Sequence, residues 1–133
     1  MIRSKDIMVG DYVIRKNVPK EILIVVAIDS IRNIVYLDLD GLGITEKIEN
    51  IEPISITPEI LEKNGFVKQD YAGWVISEDF GRRFMSYRTD YFDGLLKIVY
   101  AKDPLCDLCL KIKYVHELQH ALRLCGIDKE IVL

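Results

Sequence analysis

Cysteine, proline, histidine and tryptophan are all scarce in this chain: three, four, two and one among 133 residues. Three thiols make an odd count, and nothing beside them suggests an oxidising compartment. They read as reduced cysteines rather than a disulfide framework. The longest apolar run, Ile22 to Ile28, falls far short of the roughly 20 residues that a membrane-spanning helix needs. The opening Met1-Ile2-Arg3-Ser4-Lys5-Asp6 lacks the apolar centre of a secretory signal. Glycine-rich phosphate loops and nucleophile elbows are missing, as is any cysteine–histidine dyad with an orienting partner. Excess charge of one sign is also lacking. Eighteen basic and 21 acidic residues leave −3, which argues against a general phosphate-binding surface but permits a local basic patch. The expectation is a soluble cytoplasmic protein with no membrane partner.

What is present is ordinary globular material, 50% hydrophobic and 29% charged. A chain of this length buries roughly two-thirds of its unfolded surface, enough for a core without a staple. The first 55 residues read as short strands. Gly10 to Lys16 precedes a turn at Pro19-Lys20. Glu21 to Asp29 is rich in β-branched residues, and Asn33 to Asp40 alternates up to a turn signal at Gly41-Leu42-Gly43. So many strands in so short a stretch predict a small SH3-like β-barrel lobe over residues 1–55. Thr57-Pro58-Glu59 then carries an N-cap, a first-position proline and an acid at the positive end of the dipole, with Asn64-Gly65 as the stop. This predicts a short linking helix from Pro58 to Asn64.

Beyond Phe66 the strand pattern resumes, with Asp103-Pro104 as a break and a further strand after it. A final helix runs from Tyr114 to Leu124 and stops at Gly126. Residues 56–133 are therefore expected to form an antiparallel sheet with the C-terminal helix packed on it, as a second lobe or as part of one compact unit. The fold class is α+β.

Both histidines lie in that last helix. His116-Glu117-Leu118-Gln119-His120 has the H-E-x-x-H form in which two imidazoles one turn apart hold zinc and the glutamate polarises the metal-bound water. A catalytic zinc also needs a third protein ligand. The extended form of the motif would put glycine at 123 and histidine at 126, where this chain has Arg123 and Gly126. Only Asp128 and Glu130 follow on the tail. A second zinc reading joins Cys106 and Cys109 to His116 and His120, with a gap about half that of a zinc finger. At 100° per residue, Val115, Leu118, Leu122 and Cys125 form an apolar stripe, and the histidines and Arg123 fall on the other side. Elsewhere, Gly81 to Phe92 interleaves Arg82, Arg83 and Arg88 with aromatics including Tyr87. This is a kit for single-stranded nucleic acid if both kinds of side chain share an exposed face.

"GDYV" near the start, "IEPISITPEILEKNGF" in the middle and "KYVHELQHALRLCGIDKEI" at the end occur together, in order along the chain. In this the chain resembles small uncharacterised proteins of Bacteroides-type bacteria, their phages and mobile elements. The resemblance implies a cytoplasmic protein without assigned activity, and it brings no catalytic residue with it. Members of that group often read Y-V-H-Q-L-Q-N over the stretch that is Tyr114 to His120 here, which implies a structural helix. The expected function is a non-enzymatic binding or adaptor protein without a cofactor, whose partner is a protein or a nucleic acid. The alternative is a minimal zinc-dependent hydrolase using His116, Glu117 and His120.

Overall fold

The computed structural model describes residues 2–69, 73–78, 83–88, 94–100 and 103–133, with the backbone alone at 77–78, 83–84, 99–100 and 103–108. The chain is α+β, and its described residues form two antiparallel five-stranded sheets and a C-terminal helix. Two compact units divide it: Met1–Ser55 with Tyr114–Gln119, and Ile56–Lys113 with His120–Leu133.

In the first unit, β1 (Tyr12–Arg15), β2 (Val18–Asp29), β3 (Ile34–Leu39), β4 (Leu42–Lys47) and β5 (Ile51–Pro53) are arranged in the order β4-β3-β2-β1-β5. Strands turn successive side chains to opposite faces. One face accordingly buries Val13, Leu23, Val25, Val35, Leu37 and Ile51, joined by Ile2, Ile7 and Ile48 from the flanking segments. No pairing joins β4 to β5 among the described residues, so the sheet is not closed into a barrel by backbone hydrogen bonds.

Two turns sit elsewhere than expected. The first falls on Lys16-Asn17, and Pro19 belongs to β2. Arg15 pairs with Val18 and Ile14 with Ile22, so residues 19–21 bulge out of the ladder, where a residue without an N–H costs no hydrogen bond. The second is the two-residue loop Asp40-Gly41 between Leu39 and its partner Leu42, with φ of 48° and 89°. Positive φ at both positions is what a tight hairpin requires, and Asp-Gly supplies it. Gly43 is already in β4.

In the second unit, α1 (Pro58–Lys63) begins as the sequence dictates. Thr57 Oγ1 accepts a hydrogen bond from the Ile60 N–H at 3.3 Å, and Pro58 follows at the first helical position. Thr57→Ala is expected to cost about 1 kcal/mol of stability, the usual value of an N-cap, read from the midpoint of urea unfolding. Asn64 ends the helix and does more. Its Nδ2 donates to the carbonyls of Ile60 and Val132, and its Oδ1 accepts from the Val132 N–H at 2.7 Å, tying down the C-terminal tail.

The sheet of this unit contains β6 (Val67–Gln69), β7 (Gly73–Glu78), β8 (Arg83–Arg88), β9 (Leu95–Tyr100) and β10 (Asp103–Lys111), in the order β10-β9-β8-β7-β6. Asp103-Pro104 opens β10 instead of interrupting the chain. An edge strand tolerates proline near its start because that N–H would face away from the ladder. Helix α2 (Val115–Leu124) follows and ends before Gly126, at φ 66°. Among the described residues no helix is long and apolar enough to cross a membrane.

Candidate functional site

Helix α2 places the histidine motif. Its start is fixed within the first unit by the backbone. The Val115 N–H donates to the Ile54 carbonyl at 2.8 Å, and Tyr114 forms a bridge with Ser55. Glu117 then turns back on the helix start, its Oε1 accepting from the Tyr114 N–H at 3.1 Å. This is the acidic half of a capping box, which satisfies a backbone donor that the helix itself leaves unpaired. The carboxylate that a metallohydrolase would use on water here serves the helix terminus.

His116 is only 5% exposed, with Nδ1 fully buried, and its ring stacks on that of Tyr114 with centroids 5.9 Å apart and planes 12° from parallel. His120, in the second unit, is half-buried. The expected apolar stripe is present in that Val115, Leu118 and Leu122 are buried. The other side is not the polar surface that periodicity alone suggests, because His116 and Gln119 are buried with them.

Gln119 is the residue that sequence reasoning passed over. It is 8% exposed; its Nε2 donates to the Gly10 carbonyl and its Oε1 accepts from the Tyr12 N–H, both at 3.0 Å. A side-chain amide has the same donor–acceptor pair as a peptide unit, so Gln119 binds the entry to β1 as a neighbouring strand would. The signal in the sequence was an uncharged polar residue beside the apolar stripe, which matches a buried amide only once its partner is known.

Among the described residues no group of three or more His, Cys, Asp or Glu side chains is placed to hold a metal ion. Asp128 and Glu130 are exposed. Of the cysteine–histidine set, Cys109 is exposed on β10, while the Cys106 side chain lies outside the described residues. Cys125 is half-buried.

The basic-aromatic stretch is divided by its own strand. Tyr87 is 4% exposed and its hydroxyl donates to the Ile112 carbonyl at 3.0 Å, so it offers no ring for a base to stack on. Arg88, next to it on β8, points to the opposite face, in a row with Leu95 and Lys111 and beside the row Ser86, Lys97 and Cys109. Arg82 lies outside the described residues, as does the side chain of Arg83. Tyr87 and Arg88 therefore do not share a face, which corrects the expected nucleic-acid surface. The cationic group on the outer face is instead Arg88, Lys97 and Lys111.

The first unit also contains a cavity of about 470 Å³, lined by Ile2, Arg3, Ser4, Arg32, Asn33, Lys47, Ile48 and Glu49. Three separate stretches build it. The Ile48 N–H donates to the Asn33 carbonyl at 2.9 Å, and Ile34 pairs with Lys47, so the β2–β3 turn and the end of β4 are held together. Arg3 is oriented by Asp6, to which Nε donates at 2.8 Å and Nη2 at 3.1 Å. The hydrogen bond from Arg3 holds the Asp6 carboxyl below its ordinary range and raises the guanidinium in turn. The ion pair is thus complete at neutral pH and is lost only as acid protonates Asp6 below the usual carboxylate range. Arg32 makes a looser contact with Asp29, 3.7 Å from Nε to Oδ2. A second cavity of about 400 Å³ is lined by Ile2, Lys16, Ile51, Glu52, Pro53 and Tyr114.

No protein family, curated protein or solved structure matches the chain.

Proposed function

We propose that this chain is a non-enzymatic binding or adaptor protein of the cytoplasm, belonging to a phage or mobile element as the resemblance implies. One observation carries the reading: Glu117 is engaged by the N-terminal backbone of its own helix, beside a buried His116. His116, Glu117 and Gln119 each have a packing role, and the runner-up, a zinc hydrolase, requires Glu117 to leave the Tyr114 N–H for a metal-bound water.

The first sheet supports an SH3-like lobe. It is a meander whose last strand returns to pair with the first, and a turn of 3-10 helix at Ile48–Asn50 immediately precedes that strand. Lobes of this kind serve many functions and are no argument for catalysis. A protein partner fits the described surface better than single-stranded nucleic acid. Tyr87, the aromatic residue of the expected nucleic-acid face, is buried away from the cations Arg88, Lys97 and Lys111, and stacking supplies much of the affinity for single strands.

Two measurements test the reading. Metal analysis of protein purified without an affinity tag is expected to find far less than one zinc per chain; stoichiometric zinc that disappears in His116→Ala and His120→Ala would overturn it. Titration with a single-stranded oligonucleotide is expected to show no salt-dependent binding, and a steep salt dependence would transfer the partner to nucleic acid.

A further inference from the structure

We propose that the 470 Å³ cavity of the first unit binds a small phosphate monoester, with the phosphate held by Arg3, Arg32 and Lys47 and the body of the ligand resting on Ile2 and Ile48. Cavities of a few hundred Å³ with an apolar floor and a few convergent polar groups are the usual form of a small-molecule site. Here the apolar floor is Ile2 and Ile48, both almost fully buried, and the rim gathers three cations, two of them partly balanced by the neighbouring Asp6 and Asp29.

The three cations reach the cavity in different ways. Asp6 engages Nε and Nη2 of Arg3, whereas a guanidinium carries five N–H donors in a fixed plane. The ion pair therefore sets the orientation of the group and leaves donors for an anion, the bidentate geometry that arginine provides and lysine does not. Arg32, whose side chain is 73% exposed, is held only at 3.7 Å by Asp29 and has freedom to close over a ligand. Lys47 extends from the end of β4 as a flexible point charge. Ser4 adds a hydroxyl, and Glu49 is the single carboxylate among the lining residues. Glu49 disfavours a bare anion but accepts hydrogen bonds from hydroxyl or amine groups on the body of a ligand. A phosphate attached to a hydroxyl-bearing body satisfies both kinds of wall, as inorganic phosphate does not.

The site shares no residue with the histidine motif, so the zinc measurement and this proposal fail independently. The test is isothermal titration of the intact chain at low salt with AMP, adenosine and inorganic phosphate. AMP is expected to bind at least about tenfold more tightly than either of the others, because each lacks one of the two halves the cavity holds. Arg32→Glu combined with Lys47→Glu is expected to weaken AMP binding by a further tenfold or more, while Lys68→Glu, an exposed lysine of the second unit, leaves it unchanged. Both cavity positions are exposed, so charge reversal there spares the core. AMP binding no tighter than adenosine, or AMP binding unaltered by the double substitution, would overturn the proposal. Should the double variant fail to fold, the comparison of AMP with adenosine on the unaltered chain still decides it.

Discussion

Gln119→Ala is expected to destabilise the protein by about 2–4 kcal/mol, since it strips partners from two backbone groups and opens a void in place of a buried side chain. The Gly10 carbonyl and the Tyr12 N–H each lose a 3.0 Å hydrogen bond, and both groups are at least partly shielded from water. Glu117→Gln is expected to be nearly silent, because an amide oxygen accepts the Tyr114 N–H as a carboxylate does and glutamine serves the capping box. In a zinc hydrolase Glu117 would matter to catalysis rather than to the fold, and the position of Gln119 is one of the two unspecified letters. Urea unfolding of the two variants tests these packing roles. A Glu117→Gln variant that loses more stability than Gln119→Ala would remove the packing account of this helix.

Gly94→Ala is expected to cost about 3 kcal/mol or more, combining the strain of an L-residue in left-handed backbone with an overlap that only a main-chain shift relieves. Gly94 has φ 79°, and a Cβ placed there runs into the Ile112 carbonyl. That carbonyl already accepts from the Tyr87 hydroxyl, and the Ile112 N–H donates to the Gly94 carbonyl at 2.7 Å. A shift of Ile112 therefore strains both hydrogen bonds together. The variant is expected to show a clearly lower melting temperature and loss of near-UV signal from the second unit, which contains Tyr87. Wild-type stability in Gly94→Ala would mean that the strand end does not approach Ile112 as described. Tyr87→Phe isolates one part, removing the buried hydrogen bond to the Ile112 carbonyl at a cost of about 1 kcal/mol.

Helix α1 was legible because Thr57, Pro58, Glu59 and Gly65 each act through local backbone chemistry that needs no distant partner. The turn after β3 was legible only approximately: Gly41-Leu42-Gly43 marks it in the sequence, and the loop itself is Asp40-Gly41. Pro19 was misplaced because proline marks a turn in isolation, and only the pairing of Arg15 with Val18 and Ile14 with Ile22 reveals a bulge that accepts it. Tyr87 and Arg88 were grouped as one surface by their nearness in sequence. Period two on a strand sets adjacent residues on opposite faces, and which of the two is buried depends on what covers the sheet.

Short-range sequence patterns specify the elements: an α+β chain, two runs of strands, a capped short helix and a glycine-stopped C-terminal helix. All of these follow from periodicity, caps and turn residues acting over a few positions. Tertiary structure alone decided what the polar residues of those elements do. His116, Glu117 and His120 spell most of a metal site, yet His116 is a buried ring, Glu117 caps the helix, and Gln119 between them makes a strand-like amide contact. Arg3, Arg32 and Lys47 share no pattern in sequence, and they meet at one cavity because the N-terminal segment, the β2–β3 turn and the end of β4 meet there. Local backbone preferences are carried by neighbouring residues, whereas the partner of a side chain is supplied by whichever distant segment the fold brings beside it.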